Sequence, residues 1–225
     1  MADYHPALHA ALAANPALPE DLALMVTRRA DSRTAAEIYR NKQLFQRPRV
    51  RQALLDCPQA PAVALLEIVN HLGDLGSLLS VLSNPKIRAL EVKGKARSRL
   101  AERFRSMSAG EKVAAVRRGG RRLLKELWSD FFRDEALVLK CLQEKQLDEG
   151  TVLEIARSKI SPRRALEVIG NNPGWVSNYQ ITLSLVLNPK TPRQVVARLM
   201  RKLNPADRKM VKNNPALPQS IRQMA

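Results

Sequence analysis

Apolar residues recur along this chain at the three- and four-residue spacing of helices, and sustained alternation of β-branched and polar residues is missing from the sequence. The clearest stripe runs through residues 92–104, where Val, Ala, Leu and Phe stand four positions apart. Stripes of this kind between the turns predict about 14–16 short helices, whose first and last residues are placed to within about two to four residues. The pattern predicts an all-α protein.

A short corner marked by prolines interrupts the helical pattern repeatedly. Its full form is Asn-Pro-x-x-Pro, and an apolar helical pattern follows each copy. A residue before proline is driven out of the α region, so one helix ends at the Asn. The second proline has the φ angle that the first turn of a helix needs, so another helix begins there. Full copies begin at Asn15, Asn188 and Asn214, and weaker copies at Cys57, Asn84 and Ser158.

Side-chain caps are expected at the starts of two helices. Thr191 and Gln194 have the spacing of a capping box, in which each side chain bonds to the backbone N–H of the other residue. Ser108 and Glu111 have the same spacing. The helix that starts at Ser108 should end at the glycine pair 119–120, and a further helix should follow it.

The corners resemble those of bacterial helical-repeat proteins of the HEAT/armadillo type, in particular the variant leucine-rich repeats with their Asn-Pro-x-Thr-Pro turns. The resemblance is best over residues 155–225 and weaker over residues 10–90. It implies an α-solenoid of short antiparallel helix pairs that serves as an interaction surface. The spacing of the corners fits one helix pair with its turns, because three successive corners end 30 and 26 residues apart, at Pro162, Pro192 and Pro218.

The positive charge of the chain, +17 in all, is concentrated in blocks. Residues 1–85 are neutral overall, with eight basic and eight acidic residues, whereas residues 86–125 carry 14 basic and three acidic residues. Residues 126–150 have three basic and seven acidic residues, and residues 151–225 have 13 basic and three acidic residues. Blocks of one sign indicate an anionic partner, whereas dispersed charge would indicate only solubility.

Charge and corners together divide the chain into three parts. Residues 1–90 and 146–225 are expected to form helical repeats. Residues 91–145 lack a clear corner and are expected to form a basic, irregular helical middle that ends in an acidic belt. The acidic belt, residues 130–149, is the best candidate for a boundary between two lobes.

The cations of the middle and end blocks form the candidate site. Residues 117–122 read Arg-Arg-Gly-Gly-Arg-Arg, which gathers four guanidinium groups beside the unbonded N–H groups and positive dipole end of a helix. A solvated, charge-rich turn is the alternative interpretation. Arg163 and Arg193 follow equivalent corners and should line one edge together. The predicted phosphate- or carboxylate-binding residues are Lys93, Arg97, Arg99, Arg103, Arg117, Arg118, Arg121, Arg122, Lys125, Arg163 and Arg193.

These features indicate a non-enzymatic binding protein whose basic face engages an anionic macromolecule. Nucleic acid backbone is the leading partner. A DNA duplex or structured RNA fits better than a single strand, because few aromatic residues lie among the charges to stack on bases. An acidic or peptide-like protein is the first alternative. The second alternative is a HEAT-like alkylpurine DNA glycosylase. Such enzymes use Trp and Asp residues on a basic surface, and the residues here that could take those roles are Trp128, Asp130 and Trp175. The resemblance is one of composition and architecture, without a matched motif. No catalytic residue is predicted, since hydrolase, nucleotide-binding and zinc-protease motifs are missing from the sequence.

No cofactor or metal is expected. Variant leucine-rich-repeat proteins can carry an iron–sulfur cluster on a cysteine-rich segment, but this chain has only Cys57 and Cys141, which lie in apolar helical patterns as two buried thiols would. His5 and His9 share helical spacing without a third ligand nearby. No apolar run approaches the ~18 residues of a membrane span, and the first residues lack a signal-peptide pattern, so a cytoplasmic protein without a membrane partner is expected. The oligomeric state stays open.

Overall fold

The computed structural model describes residues 6–144 and 147–225, and every regular element within these ranges is a helix. The predicted all-α class is therefore confirmed. The chain forms two compact units, Met1–Phe104 and Arg105–Ala225. None of the helices in the described ranges is long and apolar enough to cross a lipid bilayer.

Seventeen helices are described in these two ranges. Those that begin in the first unit are α1 (Pro6–Ala14), α2 (Glu20–Arg28), α3 (Ser32–Arg40), α4 (Lys42–Phe45), α5 (Pro48–Leu55), α6 (Ala62–His71), α7 (Leu75–Ser83) and α8 (Leu90–Arg105). Those of the second unit are α9 (Ala109–Phe132), α10 (Glu135–Gln143), α11 (Glu149–Arg157), α12 (Arg163–Asn171), α13 (Pro173–Val176), α14 (Tyr179–Leu187), α15 (Arg193–Met200), α16 (Pro205–Lys212) and α17 (Gln219–Arg222).

Helices of the first unit pack on partners further along the chain as well as on their neighbours. α1 packs on α3, and α2 packs on α5. Side chains at the helix ends bond such partners together: Asn41 Nδ2 donates to the Ala13 carbonyl at 3.0 Å, and Asn84 Nδ2 donates to the Leu55 carbonyl at 2.9 Å. These bonds span 28 and 29 residues. Four helices of this unit therefore fall into two series, α1 with α3 and α2 with α5, at about the spacing of the corners.

The second unit repeats this arrangement. α11 packs on α14 and α14 on α16, whereas α10 packs on α12, α12 on α15 and α15 on α17. Asn188 Nδ2 donates to the Ala156 carbonyl at 2.8 Å, and Arg198 Nη2 donates to the Gly170 carbonyl at 2.6 Å, across 32 and 28 residues. Each series is thus bonded from one helix to the helix about one repeat earlier.

The corner at Asn188 shows how these bonds form. Asn188 is only 2% exposed. Its Nδ2 donates to the carbonyls of Ala156 and Ser158, both at 2.8 Å, and its Oδ1 accepts from the backbone N–H of Lys190 at 3.1 Å. A helix end leaves carbonyl and N–H groups without intrahelical partners. The Asn188 amide therefore satisfies two such carbonyls at the end of α11 and one N–H of its own corner.

The capping box predicted at Thr191 is wrong. Pro192 is the N-cap of α15 and makes no side-chain cap bond, and the buried Thr191 hydroxyl donates to the Leu185 carbonyl at 2.6 Å instead. Ser161 does the same at the preceding corner, donating to the Ile155 carbonyl at 2.5 Å. A buried hydroxyl beside a helix C-terminus satisfies the orphan carbonyls of the helix that ends, rather than the N–H groups of the helix that begins.

The predictions for α9 are confirmed. Ser108 Oγ accepts from the Glu111 N–H at 3.3 Å, and the Glu111 carboxylate accepts from the Ser108 N–H at 2.8 Å, which completes the capping box. Gly120 has φ +48° and ψ −141°, so the helix is broken there. Glycine adopts this left-handed φ without the steric cost that a Cβ would bring.

We expect Asn188→Ala to lower the free energy of unfolding by about 2–3 kcal/mol, because it leaves two buried carbonyls without donors. Asn214→Ala is the matched control: Asn214 holds the same corner position, and its Oδ1 accepts from the Ala216 N–H at 3.0 Å in a more exposed setting, so a loss below about 1 kcal/mol is expected. Urea unfolding followed by circular dichroism measures both, and equal losses would contradict the role given to Asn188.

We expect Gly120→Ala to destabilise the protein by about 1–3 kcal/mol, since alanine is strained at this φ. The added Cβ would also meet Asp148 Oδ2 at 3.1 Å and Thr151 Oγ1 at 3.3 Å. Gly110→Ala in the first turn of the same helix meets nothing within 4 Å and should be neutral or slightly stabilising. Thermal unfolding of the two variants tests whether the chain adopts a left-handed φ at Gly120. A melting temperature of Gly120→Ala equal to that of the wild type would refute it.

Candidate anion-binding surface

The cations of α8 surround a buried stripe, as the sequence pattern predicts: the four apolar residues of the 92–104 stripe are at most 2% exposed. Arg99 has a structural partner, because its Nη2 donates to the Leu72 carbonyl at the end of α6 at 3.3 Å. This bond fixes Arg99 against its own unit and reduces its reach toward a ligand. The other predicted cations of this helix are half-buried or exposed, namely Lys93, Arg97 and Arg103.

The arginines around the break in α9 face carboxylates of the second unit. Arg117 Nη1 lies 3.7 Å from Glu144, and Arg121 Nε lies 2.8 Å from Glu154. All four side chains keep some exposure, so these pairs are screened by solvent. The remaining predicted cations of α9 are exposed, namely Arg118, Arg122 and Lys125.

A third carboxylate lies against the glycine pair itself. A Cβ on the buried Gly120 would lie 3.1 Å from Asp148 Oδ2, and Asp148 also caps α11 by accepting from the Thr151 N–H at 2.9 Å. The place that the sequence predicts for a bound anion is thus lined by acidic side chains of this chain. The acidic belt lies inside the second unit, whose boundary is at Arg105, and part of it balances the α9 arginines.

Other arginines that count toward the net charge bond to the backbone of helix ends and turns. Their guanidinium groups donate to backbone carbonyls at 2.6–3.0 Å, which a fork of five donors does well where carbonyls lack helical partners. Sequence reasoning missed this role, although a signal existed: Arg47 and Arg198 lie 29 and 28 residues from their acceptors, which is the corner spacing. The four residues are Arg47, Arg51, Arg198 and Arg208.

The residues proposed for a glycosylase make structural contacts. Both carboxylate oxygens of Asp130 accept from the Arg105 guanidinium, at 2.8 and 3.2 Å. Trp128 packs edge-on against Phe132, with ring centroids 4.9 Å apart. Trp175 is half-buried in the single-turn helix α13. The glycosylase hypothesis gains no support from this arrangement.

The two cysteines are buried free thiols, as predicted. Burial raises the pKa of Cys57, and burial together with the nearby Glu144 carboxylate raises the pKa of Cys141 to about 12. Within residues 6–144 and 147–225, no three His, Cys, Asp or Glu side chains are grouped to hold a metal ion. His5 lies outside the described residues, and His9 is buried in α1.

The corners of the second unit form a shallow groove of about 300 Å³. Arg163 and Arg193 both line it, together with Lys190, so the two arginines share one edge as the equivalence of their corners predicts. All three are exposed, and within the described part of the chain their side chains have no hydrogen-bond or ion-pair partner and no acidic residue lines the groove. Apolar residues complete the lining, among them Pro189, Pro218 and Ile221.

Comparison of the chain with protein-family models, with curated proteins and with solved structures found no significant match. The six corners can nevertheless be compared with one another. Asn recurs at the first corner position because it bonds the backbone, as Asn188 does. The position after the corner, which Arg163 and Arg193 occupy, varies freely, so the fold does not require arginine there. Its other occupants are Glu20, Ala62, Ala89 and Gln219.

We expect neither thiol of the folded protein to react with a small aromatic disulfide at pH 8, because burial and the raised pKa both suppress the thiolate. Two thiols per chain should react after denaturation. Absorbance of the released thiolate measures both states, and prompt reaction of either cysteine in the folded protein would contradict the packing described here.

Proposed function

We propose that this chain is a non-enzymatic helical-repeat protein whose corner groove binds the phosphate backbone of nucleic acid. The observation that carries the proposal is the set of three exposed cations, Arg163, Lys190 and Arg193, in one groove that no acidic side chain of the described residues lines. Charges placed in this way lack an internal partner in the described structure, and the corners do not need them. A ligand with negative charge is the partner that their chemistry fits.

The two alternating series of helices support an α-solenoid of the HEAT/armadillo kind in each unit. Such folds repeat one helix pair, so that each pair contacts its neighbours and equivalent residues line a continuous surface. The hydrogen bonds across 27–32 residues are what such a repeat requires. The Asn-Pro-x-Thr-Pro corner at residues 188–192 favours a relationship to the variant leucine-rich repeats.

Phosphate is favoured over other anions by the kind of cation and by the block of charge behind it. Two of the three groove cations are arginines, whose planar donors match phosphate oxygens, and residues 151–225 hold 13 basic against three acidic residues. A high positive field raises the rate of encounter with a polyanion. Aromatic side chains do not line the groove in the described structure, which favours a duplex or structured RNA over a stacked single strand.

We expect Arg163→Ser with Arg193→Ser to weaken binding to a duplex about tenfold at moderate salt, because two phosphate contacts are lost. Fluorescence anisotropy with a labelled DNA duplex and a labelled RNA hairpin measures this. Circular dichroism should be unchanged, since neither side chain has a partner within the described residues.

Arg117→Ser with Arg121→Ser is the matched control, since it removes the same charge from the same unit. We expect the loss of affinity to be smaller, about threefold or less, because Glu144 and Glu154 already balance these two arginines. An intact protein that binds neither nucleic acid refutes the proposed function. An acidic peptide that binds in place of nucleic acid would identify a protein partner instead.

A further inference from the structure

We infer that the corner groove reads only the backbone of a duplex: it contacts about three phosphates and does not distinguish one base sequence from another. This inference rests on the proposed function and adds to it the class of nucleic acid and the way it is recognised. The width of the surface, the spacing of its cations and the chemistry of the remaining lining support it.

The surface is too broad to enter a major groove. It is built from three successive helix starts, those of α12, α15 and α17, which pack on one another in that order. Packed helices stand about 8–10 Å apart, so three of them span about 16–20 Å. The major groove is about 12 Å wide and admits a single helix. The corners therefore rest on the phosphate ridges instead of reaching the base edges.

The spacing of the cations fits a strand of phosphates. Arg163 begins α12 and Arg193 begins α15, one interhelical distance of about 8–10 Å apart, and Lys190 lies in the corner that leads to Arg193. Phosphates recur every ~3.4 Å of axis along each strand of a duplex. One interhelical distance therefore covers about three phosphates, which matches the three cations.

The other lining residues offer little to a base. Pro189, Pro218 and Ile221 present apolar surface, and the Thr191 hydroxyl is already bonded to the Leu185 carbonyl. Asn, Gln, Asp and Glu, the side chains that read adenine and cytosine edges, do not line the groove in the described structure. Such a surface has charge for the backbone and small apolar contacts for sugars. Ser220 also lines the groove, but a serine hydroxyl bonds any base and so cannot specify a sequence. Arginine reads guanine only where it reaches a base edge, and the breadth of this surface keeps Arg163 and Arg193 on the phosphate ridges.

The helix starts themselves add to the positive potential of this surface. Pro162 and Pro192 are the N-caps of α12 and α15, and neither helix has a side-chain cap bond. The positive ends of both helix dipoles therefore remain uncovered by any capping side chain at the two arginines. The two helix dipoles contribute less positive potential than the full charges of Arg163, Lys190 and Arg193, and they act at the same place on the groove.

The test compares the intact protein with the triple variant Arg163→Ser, Lys190→Ser, Arg193→Ser on two duplexes of equal length, one rich in G·C and one rich in A·T. Affinity is measured by anisotropy at several salt concentrations between about 50 and 200 mM. The intact protein should bind both duplexes within about threefold of each other, because readout of even one base pair changes affinity about fivefold or more.

The slope of log K against log salt should fall in magnitude by about 2.7 in the triple variant, at ~0.9 per lost phosphate contact. Over a fourfold change in salt, the intact protein should therefore lose about 40-fold more affinity than the variant. Arg117→Ser with Arg121→Ser, which removes two positive charges where the triple variant removes three, again serves as the control for lost charge, with a slope close to that of the intact protein.

The outcomes separate the inference from the proposed function. Absence of duplex binding by the intact protein overturns the inference, and absence of binding to the RNA hairpin as well overturns the proposed function. Duplex binding with an unchanged slope in the triple variant overturns the inference and the assignment of the site to the corner groove, and leaves nucleic acid binding to another surface. A preference for one duplex well above threefold overturns backbone-only reading, whereas equal affinities with the reduced slope support it.

Discussion

The structure depends on polar side chains at helix ends that bond to the helix end about one repeat earlier. A helix end leaves carbonyls without partners, and burying them unsatisfied is costly. Asn188 resolves this for two carbonyls of the preceding repeat while it closes its own corner. Asn41 and Asn84 make corresponding bonds in the first unit. Because these bonds join helices about one repeat apart, they also fix the positions of side chains that lie next to the bonded helix ends.

The arginines of this protein divide by what surrounds them, although their side chains are chemically identical. Some donate to carbonyls at helix ends, as Arg198 does. Others face carboxylates of the second unit, as Arg117 faces Glu144 and Arg121 faces Glu154. Arg163 and Arg193 have neither kind of partner in the described residues and share a groove. The formal charge of +17 therefore overstates the charge that is available to a ligand.

Repetition within the chain separates structural from functional positions. A corner position that recurs, such as the first Asn, has a backbone partner that explains it. The position after the corner carries Glu20 in one repeat and Arg193 in another, so the fold tolerates either sign of charge there. Glu20 and the neighbouring Asp21 lie near Arg49, whereas Arg193 lies in a groove lined by other cations. The corner at Glu20 is thus mixed in charge, whereas the corner groove at Arg193 is positive. This difference favours an anionic ligand in the corner groove of the second unit.

The sequence by itself determined the helical class, the corners, the break at Gly120 and the burial of both cysteines. These features follow from local rules, because proline, glycine and apolar spacing act within a few residues. Only the tertiary structure decided which cations are unpaired, since Arg117 and Glu144 are 27 residues apart in sequence and meet at 3.7 Å through packing. It also decided that Thr191 bonds backwards to Leu185, because burial beside a helix end outweighs the local capping pattern.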